Sequence, residues 1–251
     1  MELVTLAERP DLAEALGNPD LMPEPELLYH DAVAAQCWPR LVTDFPDYQV
    51  ALLDQGRVIA KGHSIPFQWD GTDAELPDQG WDFVLATGVA DRDAGRMPNA
   101  ASALQIVVAK DRLGTGLSQL MVRSLRDVAA AHALPVLYAP VRPNRKDRYP
   151  LIPMEHYARW TLKDGTEPFD PWLRVHWRLG GRILHCCQES MMISGAVAEW
   201  EEWTGLAMPA SGQYVVPGGL VPVEVDHPRD IGRYIEPNVW VRHDLGDGPA
   251  E

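Results

Sequence analysis

Residues 103–125 read ALQIVVAKDRLGTGLSQLMVRSL. A β-branched apolar run, 104–108, meets a glycine turn, Leu113-Gly114-Thr115-Gly116. A helical pattern then follows on Leu117, Leu120, Met121 and Leu125. A strand that runs through such a turn into a helix N-terminus builds an anion site. The first backbone N–H groups have no helical partner, and the helix dipole favours negative charge beside them. The glycines let a phosphate come close to the backbone, although a plain strand-to-helix turn would use them equally well. Residues 105–149 are also locally basic. Lys110, Arg112, Arg123, Arg126, Arg142, Arg145, Lys146 and Arg148 face only three acids there, a balance of +5 that leaves −19 on the rest of the chain.

Other residue types invite chemistry with less pattern behind them. His185-Cys186-Cys187 offers a nucleophile or a metal ligand, but strand alternation places only His185 and Cys187 on one face. No Cys-x-x-Cys partner exists elsewhere, so no metal is expected. His30, Asp31, His63 and Glu189 are all possible proton acceptors, and the sequence does not choose among them.

The elements that must hold these residues follow from periodicity. Residues 1–45 read as helical with proline breaks: a short helix at 11–16, a loop at 17–26 and a longer helix at 30–42. Strands at 48–53 and 57–67 form a hairpin about Asp54-Gln55-Gly56. An acidic segment, 70–100, holds a helix at 80–92. A strand at 104–108, a helix at 117–133 and a strand at 135–141 come next. A proline- and charge-rich stretch then leads to a helix at 171–179 closed by Gly180-Gly181. Beyond it lie a strand at 182–194, a helix at 196–204, strands at 212–225 (broken at 217–219) and 234–242, and a frayed tail, 244–251. This order predicts one α+β domain over 1–251 with a mixed central sheet. Trp172, Trp177, Trp200, Trp203 and Trp240 are expected in the core and pocket walls.

Composition narrows the class. The chain has 251 residues, 46% hydrophobic and 23% charged, as in a soluble globular protein. The net charge of −14 argues against nucleic acid or an anionic membrane as partner. No apolar run approaches the roughly 20 residues of a membrane span. The N-terminus lacks a signal pattern and the three cysteines form no disulfide framework, so a cytoplasmic protein is expected.

Three ordered features resemble the GCN5-related N-acetyltransferase superfamily. The acyl-CoA loop pattern, Gln/Arg-x-x-Gly-x-Gly/Ala, is matched by Leu113-Gly114-Thr115-Gly116-Leu117-Ser118, with Leu113 in place of the usual first residue. The strand at 135–141 is followed by an Asn, Asn144. The helix ending in Tyr-x-x-x-Gly-Phe is matched by His176-Trp177-Arg178-Leu179-Gly180-Gly181, with His for Tyr and Gly for Phe. The resemblance is strongest over 103–190. It implies a mixed, mostly antiparallel sheet flanked by helices, with acceptor-side insertions near 70–100 and 145–170.

It also implies a function: transfer of an acyl group from a phosphopantetheine thioester to a small-molecule amine, directly within a ternary complex. The backbone of Ile106, Val107 and Val108 would grip the pantetheine arm. The backbone N–H groups of Leu113, Gly114, Thr115, Gly116, Leu117 and Ser118 would hold the diphosphate, with Arg112 adding charge. His176 would protonate the leaving thiolate as an imidazolium acid. Gln105, on the strand where related enzymes carry a Glu base, would orient rather than deprotonate, since an amide takes no proton at neutral pH. Asn144 would bind the amine or the pantetheine amides. The donor would be acyl-CoA or an acyl-carrier protein docked on Arg142, Arg145, Lys146 and Arg148. A non-catalytic acyl-CoA-binding module and a thioester decarboxylase or hydrolase are the alternatives that the substitutions at Leu113 and His176 leave open.

Overall fold

The computed structural model describes residues 1–18, 21 and 25–246; parts of the loop at 17–26 and of the tail at 244–251 lie outside them. In chain order the elements are β1 (Glu2–Thr5), α1 (Ala32–Cys37), α2 (Pro39–Asp44), β2 (Gln49–Asp54), β3 (Arg57–Phe67), α3 (Gly80–Ala94), β4 (Ala100–Val108), α4 (Leu117–Ala131), β5 (Val136–Val141), α5 (Met154–Tyr157), α6 (Pro171–Arg178), β6 (Arg182–Gly195), α7 (Val197–Thr204), β7 (Gly212–Tyr214), β8 (Val223–Asp226) and β9 (Ile231–Asp244). The strands form a sheet in the order β1-β2-β3-β4-β5-β9-β8-β7, with β6 also on β9. Every pairing is antiparallel except β4 with β5.

Three expectations change. The four residues of β1 pair with β2, so the N-terminus is strand before it is helix. The helix expected at 30–42 is two short ones, because Pro39 lacks the N–H that would continue α1. The expected strand at 212–225 is a pair, β7 and β8, on either side of the Pro217-Gly218-Gly219 turn. The segments at 70–100 and 145–170 are also ordered differently from free acceptor loops. Asp73 ties the first to the sheet through Tyr138, Arg182 and Arg242 at 2.8–2.9 Å. The second packs Tyr149, Tyr157, Trp160 and Phe169 ring against ring, with centroids 5.0–6.1 Å apart. Of the two segments only Trp81 reaches the main cavity.

Candidate active site

The site begins where the parallel ladder between β4 and β5 fails. β4 and β5 pair at Ala101–Leu137 and Ser102–Tyr138 and no further. From Ala103 to Val108 the peptide groups that point toward β5 have no strand partner, so the sheet opens into a cleft. On its other edge β4 stays paired with β3, with a register shift that leaves Leu104 bulged. The indole N–H of Trp81 donates to the Leu104 carbonyl at 2.9 Å and fixes the bulge.

At the end of β4 the chain turns through Gly114 (φ +76°) and Gly116 (φ +84°), a conformation that only glycine adopts without strain. Gly116 caps α4, and Leu120 and Gln119 both donate back to its carbonyl. The N–H groups from Gly114 to Ser118 have no partner among the described residues. They open on the cavity at Leu113, Gly114 and Ser118, at the positive end of a fifteen-residue helix. One of the expected contributions here is corrected. Arg112 is paired with Asp54 at 2.9 Å, so its charge is already engaged. Leu117 turns its side chain into the core and keeps its N–H, the group expected of it, free at the turn.

One cavity of about 940 Å³ runs from this turn along β4 and into the space beneath α1 and α2. Ala103, Gln105, Ile106 and Val108 line one side of the cleft, and Ala139, Val141, Trp172 and His176 the other. Val107 does not face the cavity. Asn144 is exposed at the rim. Its N–H, like those of Arg145, Trp172 and Leu173, donates to Asp170, which thereby joins the end of β5 to the start of α6.

His176 lines the cavity but is not the proton donor expected. It is 2% exposed, with Nδ1 2.9 Å from His243 Nε2. Burial pushes its pKa down to about 3 and that of His243 to about 4, so both rings are neutral at pH 7. His243 Nδ1 is buried without a partner. An orphan lone pair costs less than an orphan N–H, so His243 donates from Nε2 and the His176 proton sits on its own Nε2. His176 therefore offers a hydrogen bond, not a labile proton. Gly181 belongs to the same arrangement: a Cβ there would meet the His176 carbonyl and the His243 ring, both at 2.7 Å.

The basic cluster does not form a continuous rim. Lys146 is fully buried, its ammonium donating to the carbonyls of Tyr149 and Leu220. Arg142 is held by the buried Glu236 at 2.9 Å and donates to the Gly218 carbonyl. Only Arg145 and Arg148 are exposed. The thiols are also removed from chemistry: burial pushes Cys186 up to about 11 and Cys187 up to about 12. Among the described residues no group of His, Cys, Asp and Glu is arranged for a metal.

The other end of the cavity combines His63 and Gln105, which the sequence singled out, with residues it did not. Leu28, Tyr29, Trp38 and Trp81 form apolar walls, with the two indoles stacked at 5.8 Å. The polar floor is Lys61, His63 and Gln105. His63 and Gln105 are register partners across β3 and β4, and Gln105 Oε1 is buried with no hydrogen bond. Lys61 donates to the Leu16 carbonyl at 2.7 Å, and burial lowers its pKa to about 8. No carboxylate lies against it among the described residues. Farther along the wall, Glu236 accepts from Arg142, Tyr234 and Asn238 and so is saturated.

A helix N-terminus with free N–H groups, an opened parallel strand pair and a roofed polar floor follow one another along one cavity. The chain belongs to the GCN5-related N-acetyltransferase superfamily and is an N-acyltransferase. It is 33% identical, over 97% of its length and 93% of the relative's, to the arginine N-acetyltransferase avaD of Aspergillus versicolor. Its fold is shared by the loading GNATL domain of CurA from Lyngbya majuscula, with a TM-score of 0.58 at 14% identity over 97% of each chain. It is shared as well by the GphF GNAT-like decarboxylase in complex with isobutyryl-CoA, with a TM-score of 0.51 at 17% identity over 98% of this chain and 100% of that one. No family profile matches the chain.

Proposed function

We propose that this enzyme transfers an acyl group from acyl-CoA to a nitrogen of a small amine or guanidine, with arginine and its derivatives as the first acceptors to test. The observation that carries this reading is the single cavity joining the glycine turn to the polar floor, large enough for a thioester arm and an amino-acid-sized acceptor together. The free N–H groups of Gly114 to Ser118 hold the diphosphate, and the open edge of β4 at Ile106 and Val108 pairs with the pantetheine amides. Gln105 orients the acceptor, His176 donates a hydrogen bond near the sulfur, and Asn144 closes the rim. The arginine acetyltransferase relative supports the acceptor class, and the stacked walls of Trp38 and Trp81 suit a planar cationic group. Acetyl-CoA should release thiol in the presence of arginine, agmatine or an arginine amide, with acetylated product by mass spectrometry. Absence of both with every amine tried would refute the reading. Arg145 and Arg148 leave a carrier-borne donor as the competing arrangement. A rate with acyl-CoA unaffected by R145E/R148E rejects it.

A further inference from the structure

The proposed reaction has to lose a proton from the attacking nitrogen, and Gln105 cannot take it. Its register partner can. Gln49 sits behind His63 on β2, with both amide hydrogens committed: Nε2 donates to the Phe45 carbonyl at 2.8 Å and to the Ser64 carbonyl at 3.0 Å. Its Oε1 must therefore be the atom 2.9 Å from His63 Nδ1, and as an acceptor it requires the proton on Nδ1. That leaves Nε2 as a lone pair with no hydrogen bond, on a ring that lines the cavity beside Gln105. The edge of Trp38, with ring centroids 5.0 Å apart, holds the ring in this orientation. Resting on the acyltransfer reading above, we infer that His63 Nε2 accepts the proton released by the acceptor nitrogen, with Gln49 as the residue that positions it.

The step balances within the groups named. The nitrogen lone pair attacks the thioester carbonyl carbon and the C–N bond forms. The N–H proton passes to Nε2, the C–S bond breaks with its electron pair on sulfur, and His63 returns the proton to the thiolate or to water. Lys61 on β3 is the charged group acting on His63 among the described residues; Gln49, Trp38 and Gln105 face it from β2, the α1–α2 junction and β4. Burial and Lys61 push the His63 pKa down to about 3. The ring thus offers its Nε2 lone pair as a proton acceptor throughout the working range, and it acts on a nitrogen made acidic by C–N bond formation rather than on a free ammonium.

The test is H63A, with kcat and the KM for acetyl-CoA measured separately. We expect kcat to fall about 100-fold with that KM within about twofold. Q49M, which frees the tautomer, should lower kcat several-fold and leave acetyl-CoA binding alone. If H63A does not fold, the 15N shifts of the His63 ring in the wild-type protein decide: an unprotonated Nε2 supports the assignment. A protonated Nε2, or H63A turnover within about threefold of wild type, overturns it. Wild-type protein that acetylates no amine fails the reaction itself, a result separate from either of these.

Discussion

At the scale of single residues, the site depends on groups whose charge is settled by partners far away in sequence. Glu236 is fully buried and Arg142 mostly so, and they meet across 94 residues. Removing one member of such a pair strands the other, so E236Q should cost roughly 3 kcal/mol, seen as a fall of roughly 10 °C in Tm. An unchanged Tm would mean that Tyr234 and Asn238, not the ion pair, hold this wall. The glycine turn gives the opposite balance. A Cβ at Gly116 meets nothing within 4 Å, but the left-handed φ costs an alanine about 1 kcal/mol. G116A should therefore lower Tm only slightly while weakening CoA about tenfold by calorimetry, because the N–H groups around it must shift to relieve the strain. Equal affinity would show that the anion is held elsewhere.

At the scale of elements, the joint between α1 and α3 carries a pH dependence. Asp31 caps α1 through Ala34 at 2.7 Å, and its carboxyl meets that of Asp82 in the first turn of α3. Burial and the charge of Asp31 push Asp82 up to about 8. A carboxyl raised in the folded state stabilises fully below its unfolded value near 4, and that stability is lost as pH rises through 8. Wild-type Tm should decline between pH 5 and 8 more steeply than that of D82N, and parallel curves would reject the raised Asp82 carboxyl as the cause. The sequence makes much of this scaffold legible. The apolar spacing in 80–94 and 117–131 and the alternation around Asp54-Gln55-Gly56 mark elements close to those observed. It hides β1, a four-residue strand that exists only through pairing with residues 50–53. It also hides the roof of the cavity, because α1, α2 and Trp38 become a pocket wall only once folding brings Trp38 against His63 of β3. Lys146 and Arg142 look like surface charge in sequence because nothing local shows that Leu220 and Glu236 close over them.

At the scale of the whole molecule, the continuity of the cavity bears on the order of chemical events. A covalent acyl-enzyme needs a nucleophile along the path, and the vicinal thiols are poor ones: Cys187 is fully buried, and both Cys186 and Cys187 ionise only far above neutrality, which leaves Lys61 as the ionisable group on the cavity floor. His176 and His63 are neutral rings, each tied at Nδ1. Under the proposed function both substrates occupy the cavity together, thioester along β4 and acceptor beneath α1 and α2. Initial rates at varied acetyl-CoA and acceptor should give intersecting double-reciprocal lines. C186S should retain turnover within about twofold, and iodoacetamide should inactivate slowly if at all. Parallel lines together with an acetylated protein mass in the absence of acceptor would instead require a nucleophile, and would place the two substrates in the cavity by turns.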